Sequence, residues 1–111
     1  YRIAMPASIA RGLPYVQLFS ISGTSPGVVL PHPSSLLPIN FDPVTDAGLA
    51  LANTAVFGNT IGLLSAMGES RTRCTLSAEV ARALRGRDFT TVTALLPLSG
   101  LLVTNPLQIR F

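Results

Sequence analysis

The chain carries one histidine, one cysteine and five acidic residues, so the side chains able to do covalent or acid–base chemistry are few. A serine-hydrolase constellation would take Ser34 or Ser35 as nucleophile, His32 as base and Asp42 or Asp46 as the orienting carboxylate. Nothing in the spacing sets these residues apart. His32 stands between two prolines in a loop, and such a triad is recognised by geometry rather than by order in the chain. Asp42 and Asp46 would also fit a calcium loop completed by backbone carbonyls, but Asp at such positions more commonly caps helices and forms turns. One His, one Cys and scattered acids give no recognised zinc spacing. Gly58 and Gly62 fall within a strand, without the strand-to-helix setting of a phosphate loop. The expectation is a non-enzymatic protein with no catalytic residue, no cofactor and no metal.

The remaining charge is arginine. All eight basic residues are Arg and the formal net charge is +3. Their scatter, the 6% aromatic content and the lack of a basic helix give no nucleic-acid signature. Arg82, Arg85 and Arg87 form the one local cluster. Flanked by Glu79 and Asp88, it reads as a salt-bridged loop or as a contact point for an acidic patch or polysaccharide on a neighbour. Cys74 is expected to be a small buried hydrophobe on the inward face of a strand.

The elements that would position these residues read as strands. Phe57 to Leu76 is expected to be two strands joined at Gly68, a residue tolerant of positive φ. In the second strand Ser70, Thr72, Cys74 and Leu76 take the core face, while Glu69, Arg71, Arg73 and Thr75 take the other. Further strands are expected at Pro14–Ile21, Val28–Leu30, Phe89–Leu96 and Leu107–Phe111, with Leu107, Ile109 and Phe111 inward. Pro31 to Ser35 reads as a rigid loop and Asp42 to Asp46 as a turn. Ala47 to Val56 shows no helical stripe and reads as a strand or a single helical turn. Ser77 to Leu84 reads as a short helix with Ser77 as N-cap. Strand signals about every ten residues, with Gly and Pro between them, predict an all-β fold: a single antiparallel sandwich. Residues 1–10 form a short N-terminal arm, with Tyr1, Ile3 and Met5 on one face, and residues 11–111 the sandwich domain. The arm would pair within its own domain or insert into a neighbour.

Phe57-x-Asn59-x-Ile61-Gly62-x-Leu64-x-Ala66-x-Gly68, then Leu84-x-Gly86, then Thr104-Asn105-Pro106 before a closing strand, resembles a small all-β domain common near the C-termini of exported, mostly uncharacterised proteins of environmental bacteria. Pro38-x-x-Phe41-Asp42-Pro43 suits its middle section, and the resemblance covers about residues 13 to 111. Thr60, Ser65 and Thr104 depart from the usual aromatic, Asp and Ser. The resemblance implies a secreted, extracellular or cell-surface protein with an immunoglobulin-like or related sandwich, and no enzyme activity.

Composition points to how such a domain would be used. It is 48% hydrophobic and 12% charged, about half the charged fraction of a typical soluble domain. Apolar surface left on so small a domain is best buried against neighbours. No run is long enough for a membrane-spanning helix. The chain is therefore expected to be a structural subunit of an extracellular fibre, pilus-like filament or surface assembly. Its partners would be copies of itself, with Tyr1, Ile3 and Met5 adding a strand to the next subunit and Arg82, Arg85 and Arg87 as a second contact. The alternative is an adhesive module for carbohydrate or cell surfaces, with surface glycans as partners, although two Tyr, five Phe and no Trp make a poor stacking platform.

Overall fold

The run Phe89-Thr90-Thr91-Val92-Thr93 is rich in the β-branched residues that suit a pleated, packed surface, and it forms the middle of the molecule. The computed structural model describes residues 2–31, 34–96, 102–104 and 106–110. In chain order the elements are β1 (Arg2–Ala4), α1 (Ala7–Ala10), β2 (Pro14–Ser20), β3 (Val28–Pro31), β4 (Ser34–Leu37), α2 (Pro43–Ala50) and β5 (Phe57–Gly58). Then follow β6 (Ile61–Leu63), β7 (Glu69–Arg71), β8 (Arg73–Cys74), α3 (Ala78–Ala83), β9 (Asp88–Leu95), β10 (Leu102–Val103) and β11 (Leu107–Arg110). The domain is thus mostly β, and every strand ladder among the described residues is antiparallel. Pairing is shared between a five-stranded sheet and the two-stranded ribbons β1–β7, β3–β4 and β5–β8.

In the main sheet β9 pairs with β2, β2 with β6, and β10 and β11 together line the far side of β9. Tyr15, Gln17 and Phe19 stand opposite Leu95, Thr93 and Thr91, so these residues share one face. Val16, Leu18 and Ser20 stand opposite Ala94, Val92 and Thr90 on the other. Both faces are covered. Leu18, Val92 and Ala94 pack with Leu37 and Ile39 from the β3–β4 side. On the opposite face one cluster joins Ile3, Ala10, Tyr15, Leu64 and Leu95, and a second joins Phe19, Phe57, Leu84 and Phe89. Buried Gln17 Nε2 donates to Thr91 Oγ1 at 2.9 Å, and Thr91 Oγ1 donates to the Leu18 carbonyl at 3.0 Å.

Several expectations are corrected. The stretch Asp42 to Ala50 is a capped helix, not a turn followed by an ambiguous run. Asp42 is the N-cap, Pro43 occupies the first turn, and Thr45 completes a capping box. Gly48 explains why no apolar stripe is needed: a Cβ there would crowd the Phe19 ring at 3.0 Å, so the helix backbone itself lies close to β2. Thr45 Oγ1 donates to the Phe19 carbonyl at 2.7 Å, which covers part of the edge of β2 that β6 leaves open. Ser34 and Ser35 belong to β4 rather than to a rigid loop.

The stretch from Phe57 to Leu76 is not one hairpin. Its base pairs, Phe57 with Cys74 and Gly58 with Arg73, but β6 leaves to join β2 and β7 leaves to join β1. The turn itself is as expected. Gly68 has φ +74°, its N–H donates to the Ser65 carbonyl at 2.9 Å, and the Ser65 N–H donates to the Glu69 carbonyl at 2.9 Å. This is a three-residue connection closed by a glycine bulge. Ser77 caps α3 by accepting from the Val80 N–H, as its position predicts. Leu107 and Ile109 lie beside Thr91 and Phe89, yet both are exposed, because β11 is a sheet margin. Phe111 lies outside the described residues.

Candidate binding surfaces

The residues considered for catalysis are dispersed or occupied. His32 lies outside the described residues, and Ser34 and Ser35 are on β4. Both oxygens of Asp42 are spoken for. Oδ1 accepts from the Val44 and Thr45 N–H groups at 2.8 and 3.1 Å. Oδ2 accepts from Ser20 Oγ and the Ile21 N–H at 2.8 Å and from the Ser22 N–H at 3.0 Å. Burial works against this carboxylate, but the hydrogen bonds from Ser20, Ile21, Ser22 and Thr45 outweigh it and lower its pKa from 3.8 to about 2. It is a structural anion tying α2 to the end of β2. Asp46 is in the first turn of the same helix. Among the described residues no group of three or more His, Cys, Asp or Glu side chains could hold a metal ion.

Of the residues expected at an interface, Tyr1 lies outside the described residues. Ile3 is buried in the core, and Met5 is half-buried against it. The arm pairs within its own chain: Arg2, Ile3 and Ala4 stand opposite Arg71, Ser70 and Glu69. Arg82, Arg85 and Arg87 are exposed around the end of α3. Asp88 does not close a salt-bridged loop with them; it pairs with Arg110, Nε to Oδ1, at 2.9 Å.

Two surfaces were not foreseen as sites. The first is an apolar groove between α2 and α3 with a volume of about 440 Å³. Val44 and Leu51 line it on the α2 side, Val80 and Leu84 on the α3 side, with Phe57 and Phe89 among its lining. Its base is firm. Phe19 stacks against Phe57 and Phe89 with centroids 4.8 and 5.6 Å apart. A cleft of this size and character takes apolar groups. Its two helices are far apart in sequence and neither shows a marked stripe, so only the tertiary fold reveals it.

The second surface is basic. Arg71 and Arg73 flank buried Thr72 and both are exposed, the outward setting expected of them. The register sets Arg2 directly opposite Arg71, and Arg2 is ion-paired with Glu69. Two depressions border this row. One, of about 290 Å³, is lined by Gly58, Asn59, Arg71, Thr72 and Arg73; the other, of about 520 Å³, is lined by Arg2, Arg71, Thr72, Arg73 and Cys74. Asn59 fixes the row from behind. It adopts φ +57°, and its Nδ2 donates to Ser70 Oγ at 3.0 Å and to the Arg71 carbonyl at 2.7 Å.

Cys74 is exposed, not buried as its strand parity implied. The strand breaks at Thr72, and the two-residue β8 leaves Cys74 exposed opposite Phe57. Desolvation by nearby protein nevertheless raises its thiol pKa, so the reactive thiolate is scarce at neutral pH. In the native protein Cys74 is expected to react completely with maleimide at pH 8 and several-fold more slowly than a free thiol. Labelling that requires denaturant would restore the buried assignment.

Comparison with family models, curated proteins and solved structures finds no match to the chain.

Proposed function

We propose that the chain is a non-enzymatic structural domain of an exported assembly, associating with copies of itself through its apolar surface. The observation that carries this reading is the open groove between α2 and α3. It keeps an apolar cleft of about 440 Å³ facing solvent in a domain with only 12% charged residues. Exposed apolar side chains elsewhere supply complementary knobs: Leu63 and Met67 near the Gly68 turn are 68% and 70% exposed, and Val29 on β3 is 74% exposed. A knob on one face filling a groove on another is a heterologous contact. Repeated without closure, it builds a filament. Export and the single immunoglobulin-like sandwich belong to the same reading and rest on the residue pattern between Phe57 and Pro106.

The adhesive alternative is weaker as a stacking device, because among the described aromatic side chains Tyr15, Phe19, Phe57 and Phe89 are buried and Phe41 alone, 54% exposed, is left to offer a face. Self-association is tested at the groove rim, where Val80 is 45% and Leu51 41% exposed. Val80→Glu and Leu51→Glu place charge in the cleft while leaving the core intact. Each is expected to abolish concentration-dependent assembly in sedimentation velocity with little change in melting temperature. Wild-type protein that stays a monomer of 11.7 kDa at high concentration would overturn the reading.

A further inference from the structure

Like charges directly opposite one another in an antiparallel pair oppose its formation. Arg2 and Arg71 hold that relation, and Arg73, exposed beyond buried Thr72, lines one depression together with both of them. Three guanidinium groups therefore share one small face. Glu69 is the carboxylate among them and is committed to Arg2. Fold stability does not account for this row, whereas an anion bridging it does. Guanidinium forks match oxyanions through paired N–H donors. We propose that the outer face of β1, β7 and β8 binds an acidic polysaccharide, holding its exocyclic oxyanions between Arg2, Arg71 and Arg73.

The occupant follows from charge and from what the face lacks. A second copy of the chain has little to offer it. Of the five acids, Asp42 is consumed as a cap, and Glu69 and Asp88 are already paired, leaving Asp46 and Glu79. Single-stranded nucleic acid is bound through aromatic platforms, and among the described residues no aromatic side chain lines either depression. A duplex needs a longer basic track than three arginines provide. A polysaccharide with one oxyanion per sugar or per few sugars needs neither. The two depressions beside the row, with Asn59 and Thr72 in their walls, leave room for sugar hydroxyls. The inference stands independently of self-association.

The test is affinity electrophoresis of the full chain in gels containing polygalacturonate, dextran sulfate or neutral dextran, with a single-stranded oligonucleotide as competitor. At least one acidic polymer is expected to retard the protein, less so as salt rises, and neutral dextran is not. The two acidic arms tell carboxylate from sulfate ester. Arg71→Glu and Arg73→Glu are each expected to weaken retardation about tenfold or more, the loss of one charge-assisted contact. The double variant Arg82→Glu/Arg85→Glu should change it less than twofold. Arg71→Glu also places opposite charge against Arg2, so its melting temperature should hold or rise as binding falls, which separates recognition from folding. Retardation by neither acidic polymer at low salt, equal loss in the Arg82/Arg85 variant, or stronger binding to the oligonucleotide would each overturn the proposal.

Discussion

Replacing Asp42 by alanine is expected to destabilise the domain by about 3 kcal/mol, because one carboxylate serves two structures at once. Its Oδ1 caps α2 through Val44 and Thr45, and loss of such a cap costs about 1 kcal/mol. Its Oδ2 gathers Ser20 Oγ and the Ile21 and Ser22 N–H groups. Hydrogen bonds to a charged acceptor contribute about 1.5–3 kcal/mol each, and less where water reaches them. Ser20 is fully buried while Ser22 is exposed, so the full sum does not apply and about 2 kcal/mol is taken for this set. The melting temperature should fall by roughly 10 °C or more. Asp42→Asn discriminates between the two roles: it keeps one acceptor oxygen, so it can satisfy the helix or the β2 end but not both, and should fall between wild type and alanine. The carboxylate's pKa is depressed on folding, so its contribution is complete above 3.8 and drains away as pH falls towards about 2. Thermal melts between pH 6 and pH 2 should show that acid limb in wild type and a flatter one in Asp42→Asn. Equal melting temperatures for the three proteins would show that Asp42 carries no such load.

The same residue shows what could be read from the chain. Asp42-Pro43 is a helix-start signal, a capping acceptor followed by proline at the first helical position. The residues that follow, Ala47 to Val56, show no apolar stripe to carry that signal on. The stripe is missing because α2 approaches β2 through Gly48 and anchors through Asp42 and Thr45, so polar and backbone contacts do what leucines usually do. The central strands were legible because Tyr15 to Phe19 and Phe89 to Leu95 carry β-branched and aromatic residues whatever their partners. The neighbours of β6 and β7 were not, since period-2 alternation says which way a side chain points and nothing about which strand lies alongside. Hence the outward setting of Arg71 and Arg73 was visible in the sequence, while the arrival of Arg2 beside them depends on a register formed across most of the chain. The exposure of Leu107 and Ile109 was hidden for a related reason: alternation marks a face, but only the completed sheet shows that β11 sits at its margin.

Gly68→Ala is expected to have the second large effect, and to act on the arm rather than on the whole domain. Gly68 holds φ +74°, a conformation that costs an L residue about 1–2 kcal/mol. A Cβ there would also collide with the Met5 carbonyl oxygen and come within 3.5 Å of the Ala7 Cα. Met5 follows β1 and Ala7 opens α1, and the Met5 N–H donates to the Gly68 carbonyl at 3.0 Å. Strain at this point is relieved most cheaply by lifting the arm, since β1 is three residues long and its anchors are Ile3 in the core and the Arg2–Glu69 pair. Release withdraws the buried Ile3 side chain, worth about 1.5–3 kcal/mol, and uncovers the edge of β7. Hydrogen exchange should therefore lose protection at Ile3 and Met5 and at Ser70, while Leu18 and Val92 in the central sheet stay protected. An uncovered β7 edge beside a free apolar strand is a site for the arm of another copy. In a Val80→Glu background, where groove-mediated assembly is removed, concentration-dependent dimers should appear on adding Gly68→Ala and disappear when residues 1–6 are also removed. If exchange rises uniformly instead, the arm is an integral part of one cooperative unit, and the collision is paid by global unfolding rather than by detachment.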